Sequence, residues 1–311
     1  MGEATVTAVA AVWAVAAAAI LGCLIVVAAA LDGVLSARAQ GTAGGAGRPF
    51  GEAARLLRQR RRTTIAADNL LWRIGGAGLV VVALLMVTVV PLDRWTLFDL
   101  DVGVVWFNAM DVTVWALVWL TGWGSNSAHA LVGGYRFLAH GIGYELPLMF
   151  ALVAPAIAAG SLNVGGIAAA QGGLWFVVWM PVAFVVFCLG VVAFSVWGPF
   201  AAALGADLAG GARTELSGVD RLVFETGRYA LLAAGAAFAV PMFLGGGSGP
   251  LLPGWMWVLV KAVAVLAVLV WLRRRVPVVR PDKFMEAGWL VLLPAVLLQD
   301  LVVAVVAVAG G

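Results

Sequence analysis

The chain has 311 residues, of which 63% are hydrophobic and 11% charged, with a formal net charge of +3. A soluble domain carries about 25% charged residues, so the composition excludes a water-soluble globular fold. The small basic excess follows membrane topology, as shown below, and does not argue for a nucleic-acid partner.

A helical membrane span needs roughly 20 apolar residues. Runs of that kind predict spans near 6–31, 74–92, 102–122, 144–160, 174–197, 222–244, 255–272 and 287–308. The expected fold is therefore an all-α integral membrane protein, a single transmembrane domain of about eight helices. Backbone polar groups in lipid must be satisfied within the chain, which makes helices the default. The short alternating segments of a membrane β-barrel are absent from the sequence. The first apolar run is long enough to span and lacks a basic flank before it, so no cleavable signal is expected. Abundant Gly and Ala suit close helix packing in lipid.

Between the first two spans, residues 50–62 read PheGlyGluAlaAlaArgLeuLeuArgGlnArgArgArg. This basic amphipathic stretch has two readings: an interfacial helix on anionic lipid, or a docking surface for a partner. Sixteen of the 19 Lys and Arg lie in or beside 32–73, 123–142, 198–221 and 273–286, leaving Arg94, Arg228 and Lys261. The positive-inside rule places those four loops in the cytoplasm. Both termini then face outward, as an even span count requires. No internal repeat is evident, and the inverted-repeat signature of many secondary transporters is missing.

Cys23 and Cys188 fall inside apolar runs without a Cys-x-x-Cys pattern. With two histidines, the chain lacks the ligands for an iron–sulfur cluster or a four-ligand zinc site of its own. No metal site and no cofactor bound by this chain are expected. Ionisable side chains within spans cost about 3 kcal/mol on insertion scales and mark function by default. The candidates for proton coupling are Asp111, Glu145, Glu225, Arg228, Lys261 and Asp300. Glu145 opens a predicted span, where a helix-end acid is also favoured by the dipole. Lys261 lies a few residues into its span and is able to snorkel to the interface. Asp111 and Asp300 sit mid-span, either as proton carriers or as partners of a buried donor. Glu225 and Arg228 are one turn apart and can pair on one helix face.

Four stretches together resemble the H subunit of bacterial respiratory complex I, the proton-pumping NADH:quinone oxidoreductase. The first runs from Gly122-Trp123-Gly124-Ser125-Asn126-Ser127 through Arg136 to Tyr144-Glu145-Leu146-Pro147-Leu148. The second is Gly160-Ser161-Leu162-Asn163 with Gln171. The third is Thr214-Glu215-Leu216-Ser217-Gly218, then Tyr229 and Phe243-Leu244-Gly245-Gly246. The fourth runs from Lys261 through Trp271, Arg273, Pro277, Arg280, Asp282 and Met285 to Gly288-Trp289 and Pro294.

The resemblance implies a multi-pass protein of the cell membrane, inactive alone, where the peripheral arm meets the membrane arm. It implies a share in the quinone chamber, with quinone as the substrate of the whole complex, and coupling of electron transfer to proton translocation. The partners implied are other membrane and peripheral-arm subunits and the lipid itself. Glu145 and Lys261 match family positions. For the chamber, the candidates are Arg136, His140, Glu215, Arg213, Arg280 and Asp282. Departures are concentrated in one segment: Phe194, Trp197 and Ala201 stand where the family has Glu, Arg and Asp. Arg228 stands where the family has an acid before the residue that Tyr229 matches, and His140 replaces a Gln. The alternatives are a membrane anchor of a related ion-pumping hydrogenase, or a structural scaffold whose coupling chemistry is lost.

Overall fold

A computed structural model describes residues 6–310. Residues 1–5 and 311, on which the expected outward placement of both termini bears, lie outside the described residues. Along the chain come strand β1 (Thr7–Ala8), helices α1 (Ala14–Ala39), α2 (Arg48–Arg58) and α3 (Asn69–Val87), and strand β2 (Trp95–Thr96). Helices α4 (Gly103–Gly124), α5 (Ala128–Ala159), α6 (Val164–Ala169), α7 (Phe176–Trp179) and α8 (Pro181–Phe194) follow. The last are α9 (Gly218–Phe243), α10 (Gly254–Arg275), α11 (Pro281–Ala287) and α12 (Leu293–Gly310).

Eight stretches are long and apolar enough to cross a membrane: Ala11–Ala39, Asn69–Val87, Gly103–Gly124, Ala128–Ala159, Pro181–Leu204, Gly218–Phe243, Gly254–Arg275 and Pro281–Ala309. The last of these joins α11 to α12 through a π-helical turn at Gly288–Leu292. The all-α bundle expected from composition is the observed architecture. Its only sheet among the described residues is the parallel pair β1–β2, in which Thr7 faces Trp95. That pair ties the start of the chain to the loop after α3.

Helix α9 is the hub. In its most apolar window 78% of residues are buried, against 17% in the first span and 22% in the last. It packs against α1, α3, α8 and α10. The core it organises is aromatic: Phe107 of α4 stacks on Phe238 of α9 with ring centres 3.8 Å apart, and Phe187 and Phe194 of α8 close around Phe107. Small residues set the closest approaches. A Cβ on Gly288 would lie 2.2 Å from the Gly143 carbonyl oxygen, so the start of the last span presses directly on α5.

One expected boundary is corrected. Residues 123–142, read as a loop, are helical from Ala128 onward, and α5 runs for 32 residues. At about 1.5 Å per residue it is roughly 48 Å long, well beyond a hydrocarbon core of about 30 Å. A helix of this length tilts or extends past the apolar layer, and Arg136 and His140 are residues of its first half. The cause is tertiary. The segment 198–213 folds into 3-10 turns (Gly198–Leu204, Ala206–Leu208, Gly211–Arg213) that pack on α5. At Gly133 a Cβ would meet the Ala212 nitrogen at 2.3 Å, so only a glycine admits this contact. The expected basic amphipathic segment forms α2, shorter than 50–62 at its C-terminal end and with Leu56 as its buried residue.

Candidate functional site

Helix α4 carries Asn108, Asp111 and Trp115 at spacings of three and four, which puts them on one face. That face meets Tyr144 and Glu145 of α5. Asn108 Nδ2 donates to Glu145 Oε1 at 3.2 Å. Trp115 Nε1 donates to the Tyr144 hydroxyl at 2.9 Å, and that hydroxyl points its proton toward Asp111 Oδ1 at 3.5 Å. Asp111 is completely buried and Glu145 half-buried. The two carboxyls lie within hydrogen-bonding reach of each other. Asp111 Oδ2 and Glu145 Oε2 are both buried without any protein donor. Two facing carboxylates repel in a low dielectric, and one proton held between them satisfies both oxygens.

A second polar assembly links α1, α9, α10 and the segment after α8. Glu225 accepts from Arg213 at 2.9 Å and from Arg228 at 2.6 Å. Arg228, 3% exposed, also donates to the Val196 carbonyl. Its guanidinium lies 5.4 Å from the Trp197 ring centre, and Arg273 lies 4.6 Å from the same ring. Arg273 bonds Asp32 at 2.7 Å, and Arg274 bonds Asp32 at 3.0 Å and Ser36. The Tyr229 hydroxyl donates to Asp32 at 3.1 Å. One Trp ring thus contacts two guanidinium groups, each with a carboxylate of its own, an arrangement stabilised by cation–π attraction.

Lys261 meets carbonyls instead of a carboxylate. Its Nζ donates to Leu244 at 2.7 Å, Gly246 at 2.9 Å and Ser248 at 2.7 Å, and lies 4.1 Å from the Trp175 ring centre. Gln171 holds the same turn: its Oε1 accepts from Gly245 N at 2.8 Å, and its Nε2 donates to the Pro241 carbonyl at 2.7 Å. Gly245 and Gly246 both have positive φ, which glycine adopts without strain. Gln171, Phe243-Leu244-Gly245-Gly246 and Lys261 therefore form one clamp. Asp300 is isolated. Both its oxygens are buried without a partner, and Val296 and Val303 flank it on the inward face of α12.

The six chamber candidates divide among separate contacts. Arg136 pairs with Asp207 at 2.7 Å. His140 is fully buried between Phe200 and Phe284, with both ring nitrogens unpartnered. Arg213 is taken up by Glu225, and Glu215 accepts from the Ser127 hydroxyl at 2.9 Å. Arg280 and Asp282 pair with each other at the surface at 3.0 Å. Around His140 the wall is apolar. No group of three or more His, Cys, Asp or Glu among the described residues is placed to hold a metal ion.

The sequence profile described as NADH dehydrogenase matches residues 5–304. The chain belongs to the NADH dehydrogenase family. Among its relatives is an H subunit (the one numbered 2) of the NADH-quinone oxidoreductase of Geobacter sulfurreducens, 35% identical over 265 residues, covering 82% of this chain and 80% of the relative. The H subunit numbered 2 of the same enzyme in Cereibacter sphaeroides is 41% identical over 218 residues, 69% of this chain and 68% of the relative. The NADH-quinone oxidoreductase H subunit of Geobacillus kaustophilus is 34% identical over 258 residues, covering 81% and 78%. Family membership and eight spans make this an integral membrane protein.

Sequence reasoning singled out the acids of this family member but missed their supports. Asn108 and Trp115 had a signal in their helical spacing from Asp111. Arg273 belongs to the fourth family-like stretch, but its pairing with Asp32 had no signal, because 241 residues separate the two.

Proposed function

We propose that this chain is the H-type membrane subunit of a complex-I-like NADH-quinone oxidoreductase. In this reading it sits at the junction with the peripheral arm, contributes to the quinone chamber and couples electron transfer to proton translocation. The names of its relatives support the complex, and the Asp111–Glu145 pair is the observation that carries the coupling. Asp111 is sealed inside the bundle, while Glu145 is half-buried at its edge, where a neighbouring membrane protein of the complex would pack. A proton held between them can leave on the Glu145 side and be replaced through the Tyr144 hydroxyl. The assignment of the basic loops, 32–73 and 198–221 among them, to the cytoplasm and of both termini to the outside belongs to the same proposal.

The quinone would approach from the side of the 198–213 turns. There, Arg136 and His140 are the polar groups of α5 closest to an apolar wall of Phe200 and Phe284. Such a wall accommodates an isoprenoid tail, whereas a headgroup that gains negative charge on reduction needs donors. The dispersal of Arg136, Arg213 and Arg280 into separate ion pairs favours one second reading: a scaffold or hydrogenase-type anchor that keeps the fold without a working quinone site.

The test is proton pumping per electron by the reconstituted complex. Glu145→Gln and Asp111→Asn keep the shapes and much of the hydrogen bonding but cannot carry the proton. Assembly with normal electron transfer and lowered pumping supports coupling through the pair; unchanged pumping in both variants makes it structural.

A further inference from the structure

At the end of the bundle away from the basic loops, a cavity of about 440 Å³ lies between α1, α3, α9 and α10. Ala16, Ala17 and Ile20 of α1, Val87 of α3, Ala237 of α9 and Leu259 of α10 line it. No charged side chain lines it among the described residues, and its one hydroxyl, on Thr96, donates to the Thr88 carbonyl at 3.1 Å. Trp13 and Trp95 are its exposed lining residues, and indoles mark the headgroup level of a bilayer. A water needs several polar partners, and an apolar cavity stays dry. Left empty, the gap forfeits dispersion contacts along the least buried span, α1.

Two dimensions select what fills it. An apolar cavity of roughly 150 Å³ holds one benzene, so 440 Å³ holds on the order of eighteen carbons. From Trp13 to Leu24 the cavity follows α1 for about 16 Å at roughly 1.5 Å per residue. That is close to half of the ~30 Å hydrocarbon core, the depth of one leaflet. A partner helix about 10 Å wide would take on the order of 1,000 Å³ over the same length, and a long polyisoprenoid exceeds both limits. We propose that this cavity is a binding site for one acyl chain of a bilayer phospholipid, which wedges α1 against α3 and α10. Ala16, Ala17 and Ala237 are small where the chain passes, and the two indoles sit where its ester and headgroup emerge.

The test uses the whole assembly reconstituted in vesicles containing a phosphatidylethanolamine with a diazirine midway along its palmitoyl chain. The assembly is then exchanged through lipid-free detergent, which strips loosely held lipid, and irradiated. Labelled peptides are mapped by mass spectrometry. Retained label is expected on the segments 13–24, 87–97 and 258–262. Ala17→Phe fills the cavity from α1 and Leu259→Trp fills it from α10. Each should lower retained label about tenfold, the loss of contact with roughly two methylenes. Ala18→Phe, on the exposed side of α1, should label as the parent does. Electron transfer by each variant assembly shows that it has folded, and two filling variants on different helices keep the test sound if one does not. Absence of retained label in the parent, or equal label in the filled variants, overturns the proposal. So does displacement of the phospholipid by a photoreactive isoprenoid quinone, or cross-linking of these segments to another subunit, which would make the cavity a protein interface.

Discussion

Glu225 and Arg228 form a pair whose two halves should not be equivalent. Removing Arg228 with Arg228→Met leaves Glu225 still bonded to Arg213 at 2.9 Å, so the carboxylate keeps a cation. The cost is the lost pair with its 2.6 Å contact, the Val196 bond and the face of Trp197. That amounts to about 1–3 kcal/mol, because a hydrogen-bonded charge is lost and none is orphaned. Glu225→Gln is different. It strips Arg228 of its only carboxylate while the side chain remains 3% exposed, with Arg213 and Arg273 as neighbouring like charges. An uncompensated buried charge costs about 3–5 kcal/mol. Glu225→Gln should therefore destabilise more, and the double variant should be more stable than Glu225→Gln alone. Reversible unfolding in mixed micelles, followed by helicity, reads the difference. If Arg228→Met proves as costly as Glu225→Gln, or the double variant is no better than Glu225→Gln, the idea that Glu225 serves chiefly to neutralise Arg228 is wrong.

Orientation is tested by cysteines placed at Gly310 and Lys283. The first should react with an impermeant thiol reagent in intact cells and the second should not, and the opposite pattern would invert the topology. Lys261→Met should loosen the Leu244–Ser248 turn by removing donors from three carbonyls, at about 2–3 kcal/mol. Faster hydrogen exchange confined to that turn is the signature, and unchanged exchange would show that Gln171 suffices. For the chamber, quinone reduction by the isolated complex with and without a site-blocking inhibitor separates the two readings. Robust, inhibitor-sensitive reduction would sink the scaffold alternative.

The spans were legible because each is set by a local quantity, apolar length against bilayer thickness. The departures are at span ends that tertiary packing decides. Arg136 and His140 lie in a Gly-rich stretch that reads as a loop on composition, yet Gly133 and Gly143 are small because other backbones press there. Site residues were legible one at a time, since any ionisable side chain in a span is conspicuous. What each one does depends on a partner remote in sequence. Lys261 reads as a lone intramembrane cation and proves to cap three carbonyls; Asp111 reads as a proton carrier or the partner of a buried donor, and in the fold the Tyr144 hydroxyl faces it from α5 beside Glu145.

Trp197 shows the same limit from the other side. Read as a substitution, it replaces a family Arg with an apolar ring and leaves the local wiring poorer. In the fold, the neighbouring change at Arg228 lies across from it. Arg228 of α9 lies against the Trp197 ring, and Arg273 of α10 lies against the same ring. Two departures that each look damaging together make a connected arrangement in which every guanidinium has a carboxylate. Four guanidinium groups share the two carboxylates Glu225 and Asp32, so the cluster stays net positive, and its stability rests on each buried guanidinium keeping a hydrogen-bonded carboxylate and not on overall neutrality. Proton transfer is more demanding: an indole cannot relay a proton as a charged hydrogen-bonding network can, so conservation of the cluster's stability does not imply conservation of its conductance.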